Sequence, residues 1–108
     1  MIDLNNMAEH AYSVTKQRKS NGANIDVDTL FMLKHAAGEI IEATEAYTDL
    51  AYDTYESHAC FERFQNEVAD VVMCCLIIAE NTQFDMEKAL HRVMEKNKRR
   101  AEKQGDKL

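Results

Sequence analysis

The sequence has 108 residues, no proline, three glycines and a formal net charge of −6 at pH 7. This length suits one domain, so we expect a single domain over residues 1–108. Because sheet proteins need many turns, the scarcity of proline and glycine favours long helices with few breaks. The acidic balance argues against binding to a nucleic acid polymer or to an anionic membrane surface.

Four helices are predicted from hydrophobic periodicity and capping residues. They run over about residues 3–19, from 26 or 28 to about 56, over about 61–80, and from 85 to about 104. Asp26 or Asp28 is expected to cap the second helix and Asp85 the fourth, since a carboxylate accepts from free N–H groups there. Gly105 follows the fourth helix as a stop signal. The fold class is therefore all-α.

The second helix has apolar residues at helical spacing, namely Leu30, Leu33, Ala37, Ile40, Thr44, Tyr47 and Ala51. The third helix is apolar almost all round, with one stripe of Val68, Val71, Val72, Cys75 and Ala79. Such a helix must be covered on nearly all sides, which three neighbours in a chain of this length can hardly do. We therefore predict a homo-oligomer, most simply a dimer, with the third helix near the interface. The alternative is a central helix in a monomeric bundle.

The cysteines and the first residues bear on localisation. Cys60, Cys74 and Cys75 are an odd count without a C-x-x-C pair, which favours reduced, mostly buried thiols in a cytoplasmic protein. Residues 1–10 show no basic segment followed by a long apolar run, so no signal peptide is expected. The longest apolar run, Val71–Ala79, is far shorter than the roughly 20 residues that span a bilayer.

Two pairs of acids, Glu39 with Glu42 and Glu67 with Asp70, are each spaced three residues apart on a predicted helix. Residues at this spacing share a face, with Cβ atoms about 5–6 Å apart. Glu67 and Asp70 lead directly into the apolar run, where like-charge repulsion and desolvation would be unfavourable unless the acids reach solvent or a cation offsets them. Four carboxylates are a hard, all-oxygen donor set that suits Mg²⁺ or Mn²⁺ better than Zn²⁺.

The acid residues also have interpretations other than a metal site of this kind. Glu45 extends the first pair to E-x-x-E-x-x-E, and we interpret Glu45 as ordinary surface. Glu42 lies on the more polar side of its helix. A di-iron bundle would need E-x-x-H pairs, and none of the four histidines has a glutamate three residues before it.

The fourth helix ends in "KNKRR", in which Lys96 and Arg100 share a face and Asn97 borders them. Alone, this pattern is typical of a solvated basic helix end that interacts favourably with the helix dipole. Beside an acid–metal cluster, the same cations would help to bind a polyphosphate.

Taken together, these motifs resemble the MazG-like all-α nucleoside triphosphate pyrophosphohydrolases. The resemblance covers about residues 30–104 and includes E-x-x-E, E-x-x-D before an apolar helix, a short loop, "FDMEKAL" and a K-N-x-x-R ending. It implies four-helix bundle protomers that form homodimers or homotetramers. It also implies a Mg²⁺-dependent enzyme that cuts a (d)NTP between the α and β phosphates and releases (d)NMP and pyrophosphate.

The resemblance also implies roles for individual residues. The implied metal ligands are Glu39, Glu42, Glu67 and Asp70, with Glu39 or Glu42 also acting on the attacking water as a catalytic residue. The implied phosphate contacts are Lys96, Asn97 and Arg100.

The sequence departs from common members of that family in having a longer segment between the acid motifs and no tryptophan to stack a base. His10, Tyr12, Phe31 and Phe64 are candidates for base recognition, although each also fits a core or surface position. Two other functions stay open. One is a phosphoribosyl-ATP pyrophosphatase, which has a related acid pattern, and the other is a non-catalytic helical dimer that binds a nucleotide.

Overall fold

A computed structural model of the chain describes residues 3–52 and 57–104. Within these ranges the regular structure is helical: α1 (Leu4–Ser20), α2 (Thr29–Tyr52), α3 (Ser57–Thr82) and α4 (Met86–Gln104). The predicted all-α class with four helices is therefore confirmed. Gly105 and residues 53–56 lie outside the described residues. None of the described helices combines the length and apolar character needed to cross a membrane.

Carboxylate caps determine where three of the helices begin. Asp3, Asp28 and Asp85 each accept hydrogen bonds from backbone N–H groups two or three residues further on, at 3.0–3.2 Å. These bonds satisfy donors that have no partner inside the helix. Of the two caps considered for α2, Asp28 is the one that acts, whereas Asp26 forms an ion pair with Lys19 at 2.9 Å.

The start of α3 differs from the prediction. The sequence predicts the break between the second and third helices at "YESHAC", residues 55–60, but α3 already begins at Ser57 and continues to Thr82. The stretch contains no proline or glycine that would stop a helix, so the periodicity extends further back than the apolar run suggested.

The core lies between α1, α2 and α3. The side-chain amide of Asn81, near the end of α3, donates to Thr29 Oγ1 at the start of α2 at 2.7 Å, so these two helices run antiparallel. The central cluster consists of Ala11, Met32, Ala36, Cys74 and Ile77. Small side chains on the buried face of α2 allow its backbone to approach α3 closely.

The apolar lines predicted for the second and third helices are not the buried faces. On α2, Leu30, Leu33, Ile40 and Tyr47 are each more than half exposed, and Ala37, Thr44 and Ala51 are exposed as well. On α3, Val68, Val72 and Cys75 are exposed, while Ala79 is buried. Both helices carry two apolar faces, and periodicity alone does not say which one packs inside. The single chain therefore leaves a broad apolar surface uncovered.

The cysteines divide between core and surface. Cys74 is buried, and burial raises the pKa of its thiol to about 11. Cys60 is half-buried and Cys75 is exposed, so the prediction of buried thiols is wrong for Cys75. Cys75 lies on the uncovered apolar face of α3, which explains why an apolar neighbourhood in sequence does not bury it.

The turn between α3 and α4 is closed by main-chain hydrogen bonds. Gln83 has a positive φ of 61°, its N–H donates to the Glu80 carbonyl at 3.2 Å, and the Phe84 N–H donates to the Ala79 carbonyl at 3.0 Å. This is a Schellman motif, in which glycine is the usual residue at the position that Gln83 occupies. The motif ends α3 sharply and sends the chain into α4.

The fourth helix extends away from the other three. It contacts α1 at its start, where the Leu4 N–H donates to Glu87 Oε1 at 3.2 Å. Residues 90–103 are all exposed, including the apolar side chains of Leu90, Val93 and Met94. The radius of gyration is 17.0 Å, compared with about 13 Å for a compact domain of this length. The chain thus forms a three-helix bundle with a projecting fourth helix.

The Asp28 cap provides a test of the assigned start of α2. Asp28→Ala should lower the free energy of unfolding by about 1 kcal/mol, because the Phe31 N–H loses its acceptor. Asp28→Asn is the control and should unfold within a few tenths of a kcal/mol of the wild type, because asparagine caps helices about as well. Urea denaturation followed by circular dichroism measures both, and equal loss in the two variants would contradict the capping role.

Candidate metal centre

The acids meet where α2 packs against α3. Glu39 lies on the same side of α2 as Met32 and Ala36, because residues three and four apart share a helix face. Glu67 and Asp70 lie opposite on the antiparallel α3. One carboxylate oxygen from each of Glu39, Glu67 and Asp70 lies within 4.8 Å of the other two.

Two oxygens of this cluster are buried without a hydrogen-bond donor in the described part of the chain, namely Glu39 Oε2 and Glu67 Oε2. The pKa of Glu39 is raised, first by burial and then by the charges of Glu42 and Asp70. The pKa of Glu67 is also raised, first by desolvation and then by its interaction with the Glu42 carboxyl group. Buried acceptors without donors, in a cluster of like charges, are expected where a cation binds.

The nearby basic side chains do not neutralise the cluster. His35 Nε2 lies 3.2 Å from Glu39 Oε1, on the side of the carboxylate away from the buried Oε2. Arg63 pairs with Asp49 at 2.7 Å, and its charge is the weakest of the influences on the pKa of Glu67. The negative charge of the cluster is therefore largely uncompensated by the described residues.

Glu42 and Glu45 occupy different surroundings, although both are exposed. Glu42 borders the cluster and influences the pKa values of Glu39 and Glu67. Glu45 is one step further along the E-x-x-E-x-x-E series and has no part in the three-acid group. The structure thus places Glu42 at the open edge of the cluster.

The basic residues of α4 are not brought to these acids within one chain. Lys96, Asn97 and Arg100 are exposed on the projecting part of α4, and none forms an ion pair with an acid of the described residues. The separation of these basic residues from the acids follows from the fold, since α4 packs on α1 and makes no extended contact with α2 or α3.

A cavity of about 490 Å³ opens beside Glu39 and Asp70, between α1, α2 and α3. Of the side chains considered for base recognition, His10 lines the cavity, whereas Tyr12, Phe31 and Phe64 do not. Arg18 and Asn24 also line it, and sequence reasoning missed both. No sequence motif identifies Arg18 and Asn24. They line the cavity only because the turn after α1 folds back.

The donor set fits a small, hard divalent cation. The clustered ligand atoms are all carboxylate oxygens, which Mg²⁺ and Mn²⁺ prefer, and Glu39 and Glu67 each have one buried oxygen without a partner among the described residues. The residues that could hold the ion are Glu39, Glu67 and Asp70, with Glu42 at the edge.

The sequence was then compared with known proteins. The model of the MazG nucleotide pyrophosphohydrolase domain matches residues 28–104. The chain belongs to this family. The match confirms the predicted MazG-like resemblance and implies a hydrolase that acts on nucleotides. Searches of curated proteins and of solved structures found no match. The matched region, residues 28–104, includes α2, α3 and α4 but not α1.

The raised pKa values predict how pH affects the metal-free MazG protein. A carboxyl group with a raised pKa in the folded state stabilises the fold at low pH and loses that contribution as pH rises from about 4.5 through the raised value. In EDTA, the free energy of unfolding of Glu39→Gln should therefore equal that of the wild type at low pH. At neutral pH it should be higher by about 0.5–1 kcal/mol, because the substitution relieves like-charge contacts. Thermal unfolding across pH measures the difference.

Glu45→Gln is the matched control, since Glu45 lies outside the cluster, and it should follow the wild type at every pH. Adding Mg²⁺ at neutral pH should make the wild type more stable than Glu39→Gln, because only the wild type keeps the full ligand set. A Glu39→Gln variant that is less stable than the wild type in EDTA at neutral pH would contradict the electrostatic interpretation.

Proposed function

We propose that this protein is a Mg²⁺-dependent nucleoside triphosphate pyrophosphohydrolase that cuts a (d)NTP between the α and β phosphates. The products are a (d)NMP and pyrophosphate. The observation that carries the proposal is the cluster of Glu39, Glu67 and Asp70, whose oxygens approach within 4.8 Å and include buried atoms without donors. Membership of the MazG family supports the same chemistry.

The acids would act as ligands and as a proton acceptor. Glu39, Glu42, Glu67 and Asp70 would hold Mg²⁺, or Mn²⁺ in its place. Bound there, the ion supplies charge neutralisation for phosphate oxygens and lowers the pKa of a water molecule. Glu39 or Glu42 orients the water and accepts its proton as the water oxygen attacks the α-phosphorus. The bond from that phosphorus to the bridging oxygen breaks, and pyrophosphate leaves with the electron pair.

Glu42 and Glu45 form a matched pair for testing this assignment. Glu42→Ala should lower the rate of Mg²⁺-dependent pyrophosphate release by about 10²-fold or more, because the variant loses a metal ligand and a candidate base. Glu45→Ala should retain near-normal turnover, since its side chain is exposed and outside the cluster. A coupled pyrophosphate assay over a panel of (d)NTPs measures both variants.

Near-normal turnover of Glu42→Ala would contradict the role given to that residue. Hydrolysis of phosphoribosyl-ATP in preference to every (d)NTP would replace the proposed substrate class. Nucleotide binding without pyrophosphate release would replace the enzyme with a binding protein.

We further propose that the protein works as a homodimer in which α4 of one copy serves the acid cluster of the other. Exposed apolar side chains on α2, α3 and α4 leave surfaces that a second copy can cover, namely Leu33, Ile40, Val72, Val93 and Met94. The charges are complementary as well. The described residues leave the charge of the acid cluster largely uncompensated, and Lys96 and Arg100 project from the bundle without acidic partners among those residues.

Mixed dimers test whether the cations act between copies. One subunit carries Glu67→Gln and the other carries Lys96→Ala with Arg100→Ala, and two different affinity tags isolate the mixed species. Each parent should be nearly inactive, whereas the mixed dimer should recover about half of the wild-type activity, because one of its two sites is intact. Mixed dimers no more active than the parents would show that acids and cations act within one chain. Lys98→Ala, on the opposite side of α4 from Arg100, is the control and should stay active.

A further inference from the structure

The cavity beside the acid cluster follows the helix axes. Its lining extends from Glu39 to Met32 on α2 and from Asp70 to Ile77 on α3. The two ends of each stretch are seven residues apart, or roughly 10 Å along a helix. Because α2 and α3 are antiparallel, Glu39 and Asp70 share one end of the cavity and the two apolar residues share the other.

The part of the cavity beyond the acids is suited to a flat ring. Met32, Met73, Ile77 and Val14 line it, and thioether side chains adapt their shape and make favourable contacts with aromatic rings. His35 adds one ring to the lining and is itself held by stacking on Phe31, with ring centroids 5.9 Å apart. A nucleoside whose phosphates lie at the acids would place its base among these side chains.

Arg18 and Asn24 also line the cavity, and they come from the last turn of α1 and from the segment before α2, which lead to the Met32 end. The Ala23 N–H donates back to the Arg18 carbonyl at 3.0 Å, so the turn that carries Asn24 folds against the end of α1. No carboxylate in the described parts of the chain pairs with Arg18, whereas the adjacent Lys19 is held by Asp26 at 2.9 Å. Arg18 can only donate hydrogen bonds, and Asn24 can both donate and accept.

We propose that this cavity receives the nucleobase and that Arg18 and Asn24 select a base with a lactam edge. That edge, a carbonyl oxygen beside a ring N–H, occurs in uracil, thymine, hypoxanthine and guanine. Arg18 donates to the carbonyl oxygen, and the Asn24 side-chain oxygen accepts from the ring N–H. Cytosine and adenine present an amino group, which is itself a donor, to the Arg18 donors, so that contact is lost. Their ring nitrogen carries no hydrogen for the Asn24 oxygen, and the Asn24 amide must rotate to donate to it.

This inference rests on the proposed function for the location of the phosphates. It adds a specificity-determining residue from α1, which lies outside the region matched by the family model. The elements that carry the acids and the element that reads the base are therefore different parts of the chain.

Two pairs of substrates test the edge with little change in size: dUTP against dCTP, and dITP against dATP. With wild-type protein and Mg²⁺, kcat/KM should favour the lactam member of each pair by about tenfold or more. Arg18→Ala should bring both ratios close to one, mainly by lowering kcat/KM for dUTP and dITP. Lys16→Ala is the matched control, because Lys16 lies on α1 over the Tyr12 ring and does not line the cavity. It should keep the wild-type ratios.

Ratios that stay unchanged in both Arg18→Ala and Arg18→Gln, with circular dichroism spectra like that of the wild type, would overturn the proposal. Preference for dCTP and dATP would overturn it as well. If no triphosphate is hydrolysed, the proposed catalytic function is wrong, but the proposed base selection can still be tested. Calorimetry then compares the binding of dUMP with that of dCMP. Tighter dUMP binding that depends on Arg18 supports it, and equal binding overturns it.

Discussion

The arrangement of this protein depends on one electrostatic constraint, a group of carboxylates, two of them half-buried, that the described residues leave largely without a compensating charge. Glu39 and Glu67 each keep a buried oxygen without a donor, and their pKa values are raised. Such a group costs stability in the metal-free chain. It persists because α2 and α3 are held together along most of their length by a core that includes Met32, Ala36 and Ile77. The apolar packing thus holds in place charges that would otherwise separate.

The same constraint links the site to the projecting helix. Cations in α4 would relieve the repulsion at once if they lay beside the acids, yet the chain holds them apart. Separation of this kind would keep the acids available to the proposed metal ion rather than to Lys96 or Arg100. A salt bridge between those groups and the acids within one chain would compete with metal binding. In the proposed dimer, the second copy would supply these cations, and they would complement the negative charge of the substrate phosphates.

Much of the fold could be predicted from local signals. Asp28 and Asp85 were recognisable as caps because short carboxylates accept from free N–H groups. The E-x-x-E and E-x-x-D spacings placed the acids on one side of each helix, since that follows from helix geometry alone. The choice between Asp26 and Asp28 was not predictable, because it depended on whether Lys19 was within reach.

Other features depended on tertiary packing that no short pattern contains. The buried side of α2 includes Ala36 and Ala46 rather than Leu33 or Ile40, because close helix packing favours small residues over large ones at that contact. Arg18 and Asn24 could not be found from the sequence for a similar reason. Their place beside the cavity follows from the angle at which α1 packs on α3, and neighbours in sequence do not determine that angle.

The turn at Gln83 has a mechanical consequence. It is closed by two main-chain hydrogen bonds, and the helix that follows is fixed mainly at its first residues. Arg100 lies about 20 Å along α4 from this turn, so a change of 10° in the direction of the helix moves Arg100 by roughly 4 Å. The helix therefore acts as a lever arm that converts a small rotation into a large displacement. In a dimer of the proposed kind, the distance between Arg100 and the acids would be set by the surface on which α4 rests.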